Sequence, residues 1–162
     1  MPAPGKHTTE IDQMHHRAHQ LMTTIAFVAA AGVGVSLLSL RHHYRTDATP
    51  YCDIGSSFNC DIVNRSTYSV IAGIPVAMVG VLGYAALLVL ATIFRNYRNT
   101  PVLLLSASLV GLGFALYLTY IESSVLATWC ILCLLSLGLI TCEGVFTGLL
   151  FIQSRRARSN KA

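Results

Sequence analysis

Four long runs without a charged side chain alternate with short polar stretches along the chain: 21–40, 69–94, 101–121 and 123–142, the last continuing apolar past Glu143 to residue 152. Each run reaches the roughly 20 residues that cross about 30 Å of hydrocarbon at 1.5 Å per residue. Backbone groups in lipid must be satisfied within the segment, and no ten-residue alternating pattern suggests a barrel, so the runs predict helices. The expected architecture is all-α: a polytopic membrane protein with a four-transmembrane-helix bundle. Its membrane domain covers 21–152, with helices at about 21–40, 69–94, 101–121 and 124–152. A polar tail (1–20) precedes it and a basic tail (153–162) follows. The loop 41–68 is the only sizeable extramembrane piece.

Local signals refine this outline. The first run is read as a membrane anchor, with a cleaved signal peptide the alternative: Ala29, Ala30 and Ala31 are small, but the run exceeds the 7 to 15 residues of a signal core. Pro75 falls in the first turn or two of the second helix, where a missing N–H is tolerated. Gly73, Gly80, Gly83, Ala107 and Gly111 are read as packing seams that let helices approach closely. In the loop, Thr49-Pro50, Gly55-Ser56-Ser57 and Asn59 are turn residues. Phe58, Ile62, Val63 and Tyr68 are apolar enough to rest on a membrane surface, so residues 60–68 are read as a short amphipathic lid, the alternative being a solvated loop.

Composition agrees with the pattern. Hydrophobic residues make up 54% and charged residues 11%, against about 25% charged in soluble chains, which excludes an ordinary water-soluble enzyme. The net charge of +4 does not imply nucleic acid, because the basic residues are scattered over loops and tails instead of forming one face. Their distribution sets orientation. Lys6, Arg17, Arg95, Arg98, Arg155, Arg156, Arg158 and Lys161 fall on one side; Arg41, Arg45 and Arg65 fall on the other. The positive-inside rule then places both termini in the cytoplasm and the loop 41–68 outside, as expected for a bacterial inner-membrane protein.

Chemistry is to be sought in the cysteines. Cys130 and Cys133 form a C-x-x-C at the outward start of the fourth helix, adjacent on one face and close enough to be bridged. Such a motif suits a redox dithiol or half a metal site. Metal needs two more soft ligands at comparable depth, and Cys142 lies about 13 Å farther along the helix on the opposite face, so no metal is expected and Cys142 is read as packing. Cys52 and Cys60 bracket seven loop residues. By themselves they suit a structural disulfide, but their position at the same membrane face as the C-x-x-C suits thiol–disulfide exchange with it. The field of the helix N-terminus is expected to favour the Cys130 thiolate, while Cys133 lies deeper, within reach of a lipid-soluble electron carrier. Two other features are weaker. His15, His16 and His19 have ligand spacing but sit in a polar tail. Glu143, inside an apolar run, is either functional or a protonated packing residue.

Taken in order, these residues resemble the vitamin K epoxide reductase family. The match comprises Cys52-Asp53-x-Gly55 followed by Cys60, the hydroxyl run Ser66, Thr67 and Ser69, Ala72-Gly73-Ile74-Pro75, Tyr117-Leu118, Val125-Leu126, and Cys130-Ile131-x-Cys133, and so covers about 52–133. The resemblance implies a four-helix bundle around a quinone of the ubiquinone, menaquinone or vitamin K type. It assigns Cys52 to exchange with a partner protein, Cys60 to pass electrons to Cys130, and Cys133 to the quinone side. Val63, Tyr68, Ser69, Ala72, Leu118, Leu126 and Leu137 are implied to line or cover the quinone pocket. Animal members carry Asn in place of Ser69 and Tyr in place of Leu137. Gly73-Ile74-Pro75-Val76 and Leu118-Thr119-Tyr120-Ile121-Glu122 look more like the prokaryotic branch, in which a thioredoxin-like domain is often fused. The chain ends at Ala162 without one, so the implied partner is a separate, soluble, thioredoxin-fold (DsbA-like) thiol oxidase.

The expected activity is that of a membrane oxidoreductase that reoxidises an extracytoplasmic disulfide-forming partner and passes its electrons to a quinone. One alternative is a vitamin K epoxide and quinone reductase of the animal type. A second is a non-enzymatic membrane subunit with a permanent loop disulfide.

Overall fold

The computed structural model describes residues 4–44, 53–54, 58–71 and 73–159. Four long helices dominate: α1 (Pro4–Tyr44), α3 (Val76–Thr92), α4 (Thr100–Ile121) and α5 (Ile131–Ser159). A short helix, α2 (Cys60–Arg65), and a 3-10 turn (Thr67–Ser69) lie between α1 and α3. Two antiparallel hairpins flank them: β1 (Asp53–Ile54) with β2 (Phe58–Asn59), and β3 (Val70–Ile71) with β4 (Ile74–Pro75). Three stretches, His16–Tyr44, Thr100–Leu126 and Ile131–Ser159, are long and apolar enough to cross a membrane, whereas α3 is a shorter apolar helix.

The helix limits depart from the hydropathy pattern for local reasons. The segment 4–20 is helical instead of a tail, because no Pro or Gly interrupts the chain between Gly5 and Gly32. At its other end α1 closes on Arg41, His42 and His43, basic groups placed where the helix dipole favours positive charge. The second long run yields a helix only from Val76, not from 69. Gly73, at φ +81°, turns the β3–β4 hairpin instead of marking a seam, and Pro75 stands just outside the helix. The start of α4 has Pro101 in its first turn, where the lost N–H costs nothing.

The last boundary matters most. The stretch 122–126, expected near the start of the fourth helix, instead extends α4 as a π turn (Glu122–Leu126), and Ala127 at φ 48° stops it. A non-glycine residue in this region is uncommon. The chain then reverses, and α5 begins only at Ile131 and runs to Ser159, taking in most of the expected basic tail.

The bundle packs around Ile25, Ala29, Tyr84, Leu87, Ala91, Leu104, Ile140 and Leu150. Close approach of α1 and α3 depends on missing side chains. A Cβ on Gly32 would run into the Tyr84 ring, and one on Gly80 would come within 2.9 Å of Ser36 Oγ. Tyr84 then donates its hydroxyl to the Ser136 carbonyl at 2.8 Å, tying α3 to α5. Gly111 packs against Ile140 as a seam, whereas Gly83 faces open space. Glu143 is fully buried in α5 beside the bonded pair Ser108 and Thr147, and neither of its carboxyl oxygens has a hydrogen-bond partner. Cys142 is exposed on the outer face of α5 and not packed, and the His16 and His19 side chains are exposed on α1.

Candidate functional site

Backbone pairing brings the loop to the helix entrance. Phe58 forms a parallel bridge with Trp129, and the Asn59 N–H donates to the Trp129 carbonyl at 3.1 Å. The residues that follow on each side, Cys60 and Cys130, are therefore neighbours, and both are fully buried. Asn59 also starts α2, its side chain accepting from the Ile62 N–H at 3.0 Å. This is ordinary N-capping, which satisfies one of the orphan donors of a helix start.

The end of α1 grips α2 from the other side. Ser39 Oγ donates to Asn64 Oδ1 at 2.8 Å, His43 Nδ1 lies 2.6 Å from the Asn64 carbonyl, and His42 Nδ1 is 3.6 Å from Asp61 Oδ1. Asn64 in turn donates to the Cys60 carbonyl at 3.0 Å and reaches Cys130 Sγ at 3.9 Å. The α2 segment is amphipathic as expected of a lid: Val63 is buried in a cluster with Cys60 and Cys130, while Ile62 is half exposed.

Cys60, Cys130 and Cys133 form a series of hydrogen-bonded thiols that ends on a carboxyl group. Cys60 is hydrogen-bonded to Cys130, Cys130 to Cys133, and Cys133 to Glu122. Glu122 is 2% exposed, and its Oε2 also accepts the Cys130 backbone N–H at 3.1 Å. The thiol of Cys130 is pushed up from the ordinary thiol range, chiefly by its hydrogen bond with Cys133, with burial adding and the Cys60 hydrogen bond opposing. Cys130 stands at the very start of α5, its carbonyl accepting from the Leu134 N–H at 3.0 Å, so the helix field that favours a thiolate there acts against these neighbours.

A cavity of about 570 Å³ opens beneath these thiols, enclosed by α1, α3, α4 and α5 and covered by α2 with the 3-10 turn. Cys133 and Glu122 line its upper end; Ser36, Gly80, Gly83, Tyr84, Ala107 and Ile140 line it deeper. Of the predicted pocket residues, Val63, Tyr68, Ser69, Leu118 and Leu126 line it. Ala72 and Cys52 lie outside the described residues. Leu137 does not line the cavity and packs against the bundle core. The α5 residues on the cavity are Cys133, Ser136 and Ile140, a helical stripe at whose edge Leu137 stands, about 40° round the helix from Cys133.

Sequence reasoning missed Asn64, His42, His43 and the carboxyl role of Glu122. Only the i, i+4 spacing of Cys60 and Asn64 hinted at any of them. His42 and His43 depend on contacts about 20 positions away, as in the 21-residue separation of His43 and Asn64, and Glu122 depends on the chain reversal that brings Cys130, eight positions on, back against it.

Membrane-long helices closing around an apolar cavity, with three thiols in series at one end, place the chain in the class of integral membrane proteins with a thiol-edged internal pocket. The chain belongs to the vitamin K epoxide reductase family, whose family model matches residues 23–148. It is accordingly an integral membrane oxidoreductase. Among curated proteins there is no significant match to the chain.

Proposed function

We propose that the protein takes electrons from an extracytoplasmic thioredoxin-fold thiol oxidase and delivers them to a membrane quinone. The observation that carries this reading is the series Cys60, Cys130, Cys133 ending at the cavity wall. In the proposed route Cys52 exchanges with the partner protein, Cys60 passes the electrons to Cys130, and Cys133 faces the quinone. Exchange proceeds by thiolate attack on a disulfide through a mixed disulfide, so each step needs two sulfurs brought side by side. The Phe58–Trp129 bridge does this for Cys60 and Cys130.

The cavity suits a quinone. Its volume lies within the range of small-molecule pockets, about 300–1,000 Å³. The walls are predominantly apolar, and polar groups gather near the thiols at His43, Asn64, Ser66, Ser69 and Glu122. When bound there, a quinone supplies an acceptor for two electrons and two protons. The chain's residues position the dithiol, exclude bulk water, and hold protons at Cys130 and Cys133.

In this reading α3 is the fourth membrane-crossing helix. Its 17 residues rise about 25 Å, and the apolar, exposed Val70, Ile71 and Ile74 of the adjoining hairpin supply the rest of the span. The excess of basic residues on one side supports cytoplasmic termini, with the thiols on the outer face of a bacterial inner membrane in this reading.

The test is anaerobic. The purified protein is mixed with the reduced partner oxidase and a soluble quinone, and quinone absorbance is followed. Quinone reduction by the wild type and its loss in Cys133→Ala are expected. Absence of reduction by the wild type, or undiminished turnover in Cys133→Ala, would overturn the proposal.

A further inference from the structure

We propose that Glu122 is the proton-transfer residue of the quinone step, taking the Cys133 thiol proton and returning it to the quinone. The inference rests on the reading above, that a quinone in the cavity oxidises the Cys130–Cys133 dithiol.

Three observations place the carboxyl group there. Glu122 accepts a hydrogen bond from the Cys133 thiol, so it touches a reacting atom. It lines the same cavity as Cys133, so a ligand beside that sulfur lies beside the carboxyl as well. It is nearly fully buried, its Oε2 held by the Cys130 N–H at 3.1 Å, which fixes its direction without neutralising it. The backbone is irregular at this residue: the π turn starts at Glu122, and the Thr128 N–H donates back to the Glu122 carbonyl at 3.3 Å. A π turn inside a helix is rare and occurs frequently at functional sites. The buried carboxyl costs desolvation energy, and the single backbone bond from Cys130 is one that a neutral amide could accept equally well.

The step balances. The dithiol loses two electrons and two protons, and the quinone gains both to become the quinol. The proton on Cys133 moves to the Glu122 carboxylate as the sulfur's electron pair goes to the quinone. The Cys130 sulfur then bonds to Cys133, closing the disulfide, and its proton leaves for one quinol oxygen while Glu122 returns the first proton to the other. No further oxidant or base is needed. The other titratable groups facing this point are Cys130 at the start of α5, Cys60 on α2, His43 at the end of α1, Tyr68 in the 3-10 turn and Tyr84 on α3. Glu122 is the carboxyl group hydrogen-bonded to the Cys133 thiol.

The test is a single turnover: the full-length, pre-reduced protein is mixed anaerobically with decylubiquinone across a pH series, and Cys133 alkylation by iodoacetamide is measured in parallel. In Glu122→Gln the amide oxygen can still accept the Cys130 N–H, so the turn is kept and the base is lost. General acid–base groups contribute typically 10²–10⁴-fold, so Glu122→Gln is expected to slow quinone reduction by about a hundredfold or more and to abolish the acidic limb of the rate–pH profile. Alkylation of Cys133 should not be slowed. Glu122→Asp, which keeps a carboxyl, should retain the acidic limb and recover much of the rate; it also serves if the Gln variant does not fold. Quinone reduction by Glu122→Gln at the wild-type rate with the limb intact would overturn the proposal. So would equal slowing of quinone reduction and alkylation, which marks a structural role. If the wild type itself does not reduce quinone, the failure lies with the underlying functional reading.

Discussion

Asn64 joins three parts of the site, and its removal has a calculable effect on how firmly Cys60 is presented to Cys130. Asn64→Ala deletes the two bonds that tie α2 to its neighbours, from Ser39 Oγ at 2.8 Å and to Cys130 Sγ at 3.9 Å, besides the bond to the Cys60 carbonyl within α2, and leaves the His43 contact to the Asn64 carbonyl in place. At about 1 kcal/mol net for each hydrogen bond, docking of the lid weakens by ~2 kcal/mol. With tenfold per 1.4 kcal/mol, the population with Cys60 against Cys130 falls about 30-fold relative to the undocked state. The assay uses a background of Cys52→Ala, Cys133→Ala and Cys142→Ala, so that only Cys60 and Cys130 can pair. Their disulfide is equilibrated with glutathione buffers and quantified by mass after alkylation. Asn64→Ala should raise the reduction potential of the pair by about 40 mV, using 30 mV per 1.4 kcal/mol. A change smaller than threefold in the equilibrium constant would show that Asn64 does not hold the lid, and that the strand bridge at Phe58 and Trp129 suffices.

Three further outcomes follow from the packing and from the thiol series. Glu143→Leu should raise thermal stability in detergent by ~1–3 kcal/mol, because it replaces a buried carboxyl with no hydrogen-bond partner; a lowered midpoint would refute this and point to a role for the acid. Gly32→Val should cost ~1–3 kcal/mol by driving the Tyr84 ring off α1, while Gly34→Ala, which meets nothing within 4 Å, should cost nothing and gain up to about 1 kcal/mol in the same melt. The thiolate absorbance assigned to Cys130, measured near 240 nm as the difference from Cys130→Ala, should rise at lower pH in Cys133→Ala than in the wild type. The substitution removes the partner that holds the Cys130 proton and leaves the opposing bond from Cys60; an unchanged titration would show that Cys133 is not that partner.

The bundle was legible because hydrophobic run length is a local property: the charge-free stretches mark all four long helices, and the family resemblance orders the cysteines along them. Their ends were less so. Whether 4–20 continues α1 depends on the absence of a breaker, not on hydropathy, and the shift of the last helix from 124 to Ile131 depends on Ala127 adopting a left-handed conformation that no alanine advertises. At the site, Cys133 and five of the seven pocket residues implied by the family resemblance reach the cavity; spacing along the chain assigned none of the seven, and Leu137, four residues beyond Cys133, packs against the bundle core instead. Asn64, His42 and His43 become visible only once the end of α1 is laid against α2, a long-range contact that neither composition nor periodicity encodes.

The complete burial of both Cys60 and Cys130 has a consequence for leakage. On the proposed route, any small soluble thiol that reached the membrane-side pair directly would discharge electrons into the quinone pool without a protein substrate having been oxidised. With the strand bridge closed, neither sulfur offers a surface for such a thiol to attack. On the proposed route, electrons therefore enter through the loop and its partner, and the lid that hands them inward also insulates the membrane pool from short circuit.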